Sequence, residues 1–306
     1  MTKSAELLPV TVVGGYLGTG KTTLVNHLLR NANGLRLAIL VNEFGELPID
    51  EDLIEAEEDD LIAIAGGCIC CSFGNDLMAA LMKLSAMTPR PDHILIESSG
   101  VAIPGAIVAT MSLLEGLQPN GIVVLVDAET VQINANDDYI GDTITRQLAD
   151  ADIVIINKQD LVTQSELEVL CTWLSELEPR PVLIPAQQGI VAIEAVLGAT
   201  ASPIKRTVSE HSDSLFDSFI LEPSGAIDIE MLAKKLVGAQ YGVVRSKGYA
   251  TDVDGRVRLL HTVGQRWQIS DANMLSKPGI ICLGLKGHLQ REDIVKLCRS
   301  LSLVAS

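Results

Sequence analysis

The sequence predicts an α/β protein: a doubly wound, mostly parallel sheet carrying a P-loop, followed by a smaller α+β domain. Three observations carry this. Short aliphatic runs alternate with helical stretches from residue 10 to about residue 200, and each run stops at a glycine or a polar residue. The chain is 47% hydrophobic but only 3% aromatic, so its core is built from Val, Ile, Leu and Ala, the residues of strands buried on both faces. The pattern then changes near Thr200, which divides the 306 residues into two domains.

The elements follow in order. Val10–Val13 is a β-branched run that ends at Gly14-Gly15, and Thr22–Arg30 reads as a helix. Leu37–Val41 and Leu61–Ala65 are further buried strands, the second ending at Gly66-Gly67; Asp76–Ser85 is helical. Ile94–Ile96 stops at Glu97, Ile122–Val126 at Asp127, Ile153–Ile156 at Asn157, and Val182–Ile184 near Pro185. Sheets of this kind bind ligands at the carboxyl ends of their strands. Ala201–Ser214 is polar, contains Pro203 and reads as a linker. Beyond it lie a strand at Leu215–Leu221 and a helix at Asp228–Val237. Three strands are expected around Gly242–Thr251, Arg256–Ser270 and Ile280–Leu285, then a helix at Gln290–Leu301. The domains are thus 1–200 and 215–306, joined by 201–214.

Charge and cysteine usage exclude several classes. A formal net charge of −16 repels a phosphate backbone, so a nucleic-acid partner is not expected. Met1–Pro9 has no apolar signal core, and no apolar run approaches the roughly 18 residues that span a bilayer. Of six cysteines, Cys68, Cys70 and Cys71 crowd together while Cys171, Cys282 and Cys298 are scattered. That is one thiol-rich site rather than a disulfide framework, and it places the expected compartment in the cytoplasm. The run Asp50–Asp60 is strongly acidic and reads as a solvated face.

Gly15-Tyr16-Leu17-Gly18-Thr19-Gly20-Lys21-Thr22 fits G-x-x-x-x-G-K-[ST], placed between a strand and a helix. Gly15, Gly18 and Gly20 let backbone N–H groups turn inward around phosphates, with Thr19 between them and Thr23 one residue beyond the motif. Lys21 would reach the β and γ phosphates, and the Thr22 hydroxyl would bind Mg²⁺. Glu97, at the end of its strand, either holds Mg²⁺ through water or orients the attacking water. Gly100 would let the backbone approach the terminal phosphate. Asp127 is either a turn residue or a support behind the site.

Asn157-Lys158-Gln159-Asp160 matches N-K-x-D at a strand end. Guanine offers N1–H and N2–H₂ as paired donors, and the Asp160 carboxylate can accept both; adenine lacks that edge. Asn157 either ties the loop together or donates to the base. The Lys158 stem can lie over the ring, and Ala186 is a candidate backbone donor. These residues select GTP and GDP as ligands.

Gly66-Gly67-Cys68-Ile69-Cys70-Cys71 is the remaining feature. Thiolates suit Zn²⁺ and other borderline metals. In an extended segment Cys68 and Cys70 share a face and Cys71 points away, so all three meet one ion only if the chain turns. Three thiolates leave a fourth position open, which suits transfer. Buried structural cysteines and a redox pair are the alternatives.

Gly14–Thr22, Asn42-Glu43-Phe44-Gly45-Glu46, Gly66–Cys71, Glu97–Gly100 and Ala151-Asp152 with Asn157–Asp160 together resemble the CobW-like GTPases, related to the urease and hydrogenase nickel-insertion GTPases. The resemblance spans residues 10–190. It is looser in the tail, at Arg245-Ser246-Lys247-Gly248 and the strands around Trp267. It implies GTP hydrolysis coupled to binding and delivery of a transition metal, Zn²⁺ or Co²⁺ foremost, with Ni²⁺ also used, to a client apoprotein. It implies Cys68, Cys70 and Cys71 as metal ligands, Glu46 as a further one, and Asn42–Asp50 as a switch segment. Asp50 would contact Mg²⁺ through water, and with Lys21 and Glu97 completes the catalytic set. Two departures stand out: His211 is the one histidine where many relatives carry a His-rich tract, and Ile103 replaces a polar residue near the nucleotide. A regulatory GTPase switch with structural or redox cysteines is the alternative function. Self-association is left open. No obvious arginine finger is present, so slow hydrolysis without a partner is expected.

Overall fold

The computed structural model describes residues 7–32, 34–41, 61–65, 75–178, 180–198, 216–272 and 278–302, with the backbone alone at 61–65, 75 and 76. The chain divides into two compact units, Met1–Ile193 and Glu194–Ser306. The expected linker, 201–214, lies outside the described residues.

The first unit is a seven-stranded parallel sheet in the order β3-β2-β4-β1-β5-β6-β7. Its strands are β1 (Leu8–Gly15), β2 (Leu37–Val41), β3 (Leu61–Ala65), β4 (His93–Glu97), β5 (Leu117–Asp127), β6 (Ile153–Asn157) and β7 (Val182–Pro185). β2, β4 and β6 are buried at every position. The aliphatic runs require this, because a parallel sheet is covered on both faces. The helices are α1 (Lys21–Arg30), α2 (Asn75–Ser85), α3 (Pro104–Met111), α4 (Val131–Ala135), α5 (Gly141–Asp150) and α6 (Gln164–Leu177), while the short α7 (Ile193–Leu197) starts at the last residue of this unit and belongs otherwise to the next. Leu81, Leu84, Ile107 and Met111 from α2 and α3 pack on Val10, Val12, Ile94 and Ile96. Ile144 and Leu148 of α5 and Leu167, Leu170 and Leu174 of α6 pack on Val124, Val126, Val154 and Ile156. The register Val12↔Ile122 puts both clusters on one face, and α1 lies against β1 and β4.

Strand order reverses about β1, with β4 on one side and β5 on the other. This makes the carboxyl end of β1 the topological switch point, where open α/β sheets bind ligands. The pairings Val13↔Glu97, Val41↔Glu97 and Asp127↔Asn157 bring the strand-end residues to one edge.

β5 starts five residues before the expected Ile122. The strand takes in Pro119 and Gly121 through a register shift opposite Val10 and Thr11. The buried Asn120 Nδ2 donates to Thr11 Oγ1 at 2.9 Å, and that hydroxyl meets His93 Nε2 at 2.8 Å. The network satisfies three polar side chains inside the sheet.

The second unit has five antiparallel strands in the order β11-β10-β9-β12-β8. They are β8 (Phe216–Leu221), β9 (Val243–Thr251), β10 (Val257–Val263), β11 (Arg266–Asp271) and β12 (Gly279–Leu285). The helices α8 (Ile229–Leu236) and α9 (Arg291–Ser300) close its core, with Leu232, Leu236, Ile294 and Cys298 on Leu260, Ile280 and Cys282. Asp228 caps α8 by accepting the Met231 N–H at 2.9 Å. The single strand expected over Arg256–Ser270 is a hairpin. Gly264 takes a positive φ of 53° and the two arms pair antiparallel, Val263↔Arg266. Gly264-Gln265 is a two-residue hairpin loop inside a β-rich run.

Candidate functional site

The phosphate loop leaves β1 through Gly15 (φ 131°), Gly18 (φ 76°) and Gly20 (φ 97°), backbone conformations suited to glycine. Two of these glycines also have no room for a side chain. A Cβ on Gly15 would stand 2.3 Å from the Leu125 carbonyl oxygen, and one on Gly20 would stand 2.4 Å from Asn157 Nδ2. Thr19 Oγ1 and Lys21 Nζ both donate to the Tyr16 carbonyl, at 2.8 and 3.1 Å. Lys21 is buried, and the first turn of α1 carries neither an acidic residue nor a side-chain cap. A buried ammonium beside an uncapped helix N-terminus is an anion site. Thr23 is exposed on the same turn.

Thr22 Oγ1 donates to Glu97 Oε1 at 2.8 Å, and Glu97 is 1% exposed. A hydroxyl and a buried carboxylate beside a phosphate cradle are hard oxygen donors, the set that suits Mg²⁺. Beyond β4, the Ser98 N–H donates to the Val13 carbonyl at 2.9 Å, so the segment keeps alongside β1. It brings Gly100 onto the phosphate loop: a Cβ there would stand 2.8 Å from the Leu17 nitrogen.

At the end of β6, Asn157 ties two loops. Its Nδ2 donates to the Thr19 carbonyl at 2.9 Å, and its Oδ1 accepts the Gly189 N–H at 2.9 Å. Of the two roles open to Asn157, the side chain takes the structural one. Lys158 adopts φ 60° and pairs through Nζ with Asp127 Oδ2 at 2.7 Å. Asp127 Oδ1 accepts the Glu129 N–H at 3.0 Å, so this residue both closes a turn and supports Lys158. Asp160 is exposed on a one-turn 3₁₀ segment, Gln159–Leu161.

Ala186 corrects the sequence reading. Its N–H is donated to the Ile156 carbonyl at 2.8 Å, closing the β6–β7 ladder, so it is not a donor for a base. Its carbonyl accepts the Gln159 N–H at 3.1 Å, which braces the N-K-x-D turn. Gly189 was missed by sequence reasoning. It has φ 66°, and a Cβ would lie 2.9 Å from the Leu24 nitrogen; the one local signal was a Gln-Gly pair after a strand. Arg146 is exposed and faces Asp142 one turn away at 3.5 Å.

Cys68, Cys70, Cys71, Glu46 and Asp50 lie outside the described residues, as does the expected switch segment Asn42–Asp50. Among the described residues no cluster of three or more His, Cys, Asp or Glu side chains could hold a metal ion. Burial pushes the Cys282 thiol up to about 12 and raises Cys171 and Cys298, which keeps all three protonated at neutral pH.

The family model described as CobW/HypB/UreG, nucleotide-binding domain, matches residues 9–184. The chain belongs to the CobW/HypB/UreG family. It is 34% identical to the zinc chaperone CobW of Sinorhizobium sp, over 85% of this chain and 86% of that one. It is 30% identical to the zinc chaperone CobW of Pseudomonas aeruginosa, over 87% and 83%. Among solved structures, a Zn(II)-bound YjiA GTPase from E. coli overlays 97% of this chain and 100% of its own at 20% identity and TM-score 0.45. The resemblance drawn from the motifs is borne out, and this CobW-like chain is a GTPase with the nucleotide-binding fold of its family. No described helix is long and apolar enough to cross a membrane.

Proposed function

We propose that this chain is a GTP-driven metallochaperone that binds a transition metal, Zn²⁺ foremost, at Cys68, Cys70 and Cys71 and hands it to a client apoprotein in the cytoplasm. One observation carries the reading. β3, whose last residue Ala65 stands three residues before Cys68, runs parallel to β2 and β4. Its carboxyl end therefore lies on the edge that also carries Glu97 and the phosphate loop. A metal loop and a phosphate site issuing from one edge can be coupled, and such coupling is reciprocal. The zinc chaperones of similar length among the relatives support zinc as cargo.

In this reading Lys21 holds the β and γ phosphates, and Thr22 and Glu97 hold Mg²⁺, which neutralises charge on the phosphates. Glu97 also stands where it can orient water. Asp160 accepts the guanine donors while Asp127 steadies Lys158 over the ring. Asp50 assists at Mg²⁺, and Glu46 adds a ligand to the thiolates.

The test is a competition titration of Zn²⁺ and Co²⁺ against a chromogenic chelator. It is run with Mg²⁺ and a non-hydrolysable GTP analogue, with GDP, and without nucleotide. Metal affinity about tenfold higher with the GTP analogue, roughly 1.4 kcal/mol of coupling, is expected. Replacing the three cysteines by serine removes the high-affinity site. Equal affinities in all three states overturn the metallochaperone reading and leave a GTPase switch acting through a protein partner.

A further inference from the structure

α5 carries a polar residue where an amphipathic helix should be apolar. Gln147 lies between Ile144 and Leu148 on the buried face and is 1% exposed. A carboxamide so placed is costly unless its donors are used. Both are: Nε2 donates to the Gly100 carbonyl at 3.1 Å and to the Ala102 carbonyl at 2.8 Å. One turn on, Asp150 Oδ2 accepts the Gly105 N–H at 2.7 Å. Positions 147 and 150 share a helix face, so α5 grips the stretch 100–105 at three backbone points. The polarity is matched throughout, an amide facing carbonyls and a carboxylate facing an N–H. Gly105 is held close: a Cβ there would be 2.4 Å from Asp150 Oδ2.

The gripped stretch is the one that follows Glu97 and lays Gly100 on the phosphate loop at Leu17. Gln147 itself touches no residue of the phosphate loop or base loop through these bonds. We infer that Gln147 is a positioning residue for GTP hydrolysis, holding the Gly100 peptide over the phosphate loop where the terminal phosphate is cleaved. The inference rests on the GTPase reading. It assigns to α5 a role in the chemical step and none in holding GDP. The groups assigned to GDP are Lys21, Thr22 and Asp160, and the Gln147 carboxamide bonds to none of them. A displacement of about 1 Å in a group near the reacting atoms is enough to slow a reaction by up to two orders of magnitude.

The experiment compares the full chain with Gln147→Leu, which keeps the volume and removes both donors, and with Asp150→Ala. Phosphate release is measured at saturating GTP and Mg²⁺, and GDP affinity by titration with a fluorescent GDP. Gln147→Leu is expected to lower kcat by at least about tenfold while GDP affinity stays within about twofold. Asp150→Ala is expected to lower kcat roughly threefold, again with GDP affinity kept. Asp150 sits at the end of a helix, so its variant decides the matter if Gln147→Leu does not fold. An unchanged kcat in the folded variants overturns the inference, and so does a parallel loss of kcat and GDP affinity, which is what a merely structural role gives. A wild-type chain that releases no phosphate from GTP overturns the GTPase reading itself, and this is read before any variant is compared.

Discussion

The two units bury polar side chains in different places. Among the described residues of Met1–Ile193 most of them collect at one sheet edge: Thr19, Lys21, Glu97, Ser98, Ser99, Asp127 and Asn157 are all under 9% exposed. They tie loops together across long stretches of chain, as Asn157 does between Thr19 and Gly189. In Glu194–Ser306 they sit mid-strand on β9 and β10. Ser246 and Thr262 face each other across the ladder at 2.7 Å, and Arg245 donates to the carbonyl of Ala195 at 3.1 Å and to that of Val196. The difference teaches where chemistry is to be sought. Polar burial at the ends of parallel strands gathers hydroxyl, ammonium and carboxylate groups beside the phosphate loop, whereas Ser246, Thr262 and Arg245 bond within the ladder and the short helix of their own unit. Substitutions in the first unit should change function, and those in the second should change stability.

Lys21→Ala gives the largest expected effect: about a thousandfold loss of kcat/KM for GTP, read as phosphate release. A loss under about tenfold would break the comparison at its strongest point, since a buried cation on an uncapped helix N-terminus would then not serve phosphate. Asp160→Ala comes next. The preference for GTP over ATP should fall by roughly 30- to 100-fold, the worth of one bidentate base contact, in a competition measurement. If the preference is kept, the exposed turn at Gln159–Leu161 is not where the base is read.

Arg245→Met carries the comparison into the second unit. It leaves the two carbonyls without their donor, and should lower the unfolding free energy by about 2–3 kcal/mol in urea. GTP hydrolysis below the unfolding range should be unchanged. A specific loss of hydrolysis would assign Arg245 to the chemistry instead. The smallest effect concerns His261. Burial first, then the nearby charges of Arg245 and Lys247, holds its imidazole well below the ordinary range. The unfolded chain therefore takes up a proton that the folded chain refuses. Stability from the neutral form is present above about pH 6.5 and falls as the pH drops below it, by at most about 1.4 kcal/mol per pH unit. Denaturation at pH 7.5 and 5.5 should reveal that loss in the wild type, and His261→Gln should reduce it. An equal loss in both proteins would place the acid sensitivity elsewhere.

The sequence by itself determined the sheet of the first unit and the chemistry of its loops. β2 and β3 have the bounds that their aliphatic runs predict, Leu37–Val41 and Leu61–Ala65; β2 is buried at every position, and a strand buried on both faces writes itself as an unbroken apolar stretch. The phosphate and guanine motifs were equally legible, since each is contiguous and needs fixed residue types at fixed spacing. The thiol motif at Cys68–Cys71, outside the described residues, is known from sequence alone. The tertiary structure decided the rest. β10 and β11 read as one strand because local β propensity does not announce a two-residue hairpin. The engagement of the Ala186 N–H, the pairing of Lys158 with Asp127, and the grip of Gln147 on Gly100 and Ala102 join residues 30 to 47 positions apart. Periodicity records which face of an element is buried. What a buried donor meets there depends on which strands are neighbours and in what register, and only the folded sheet sets that.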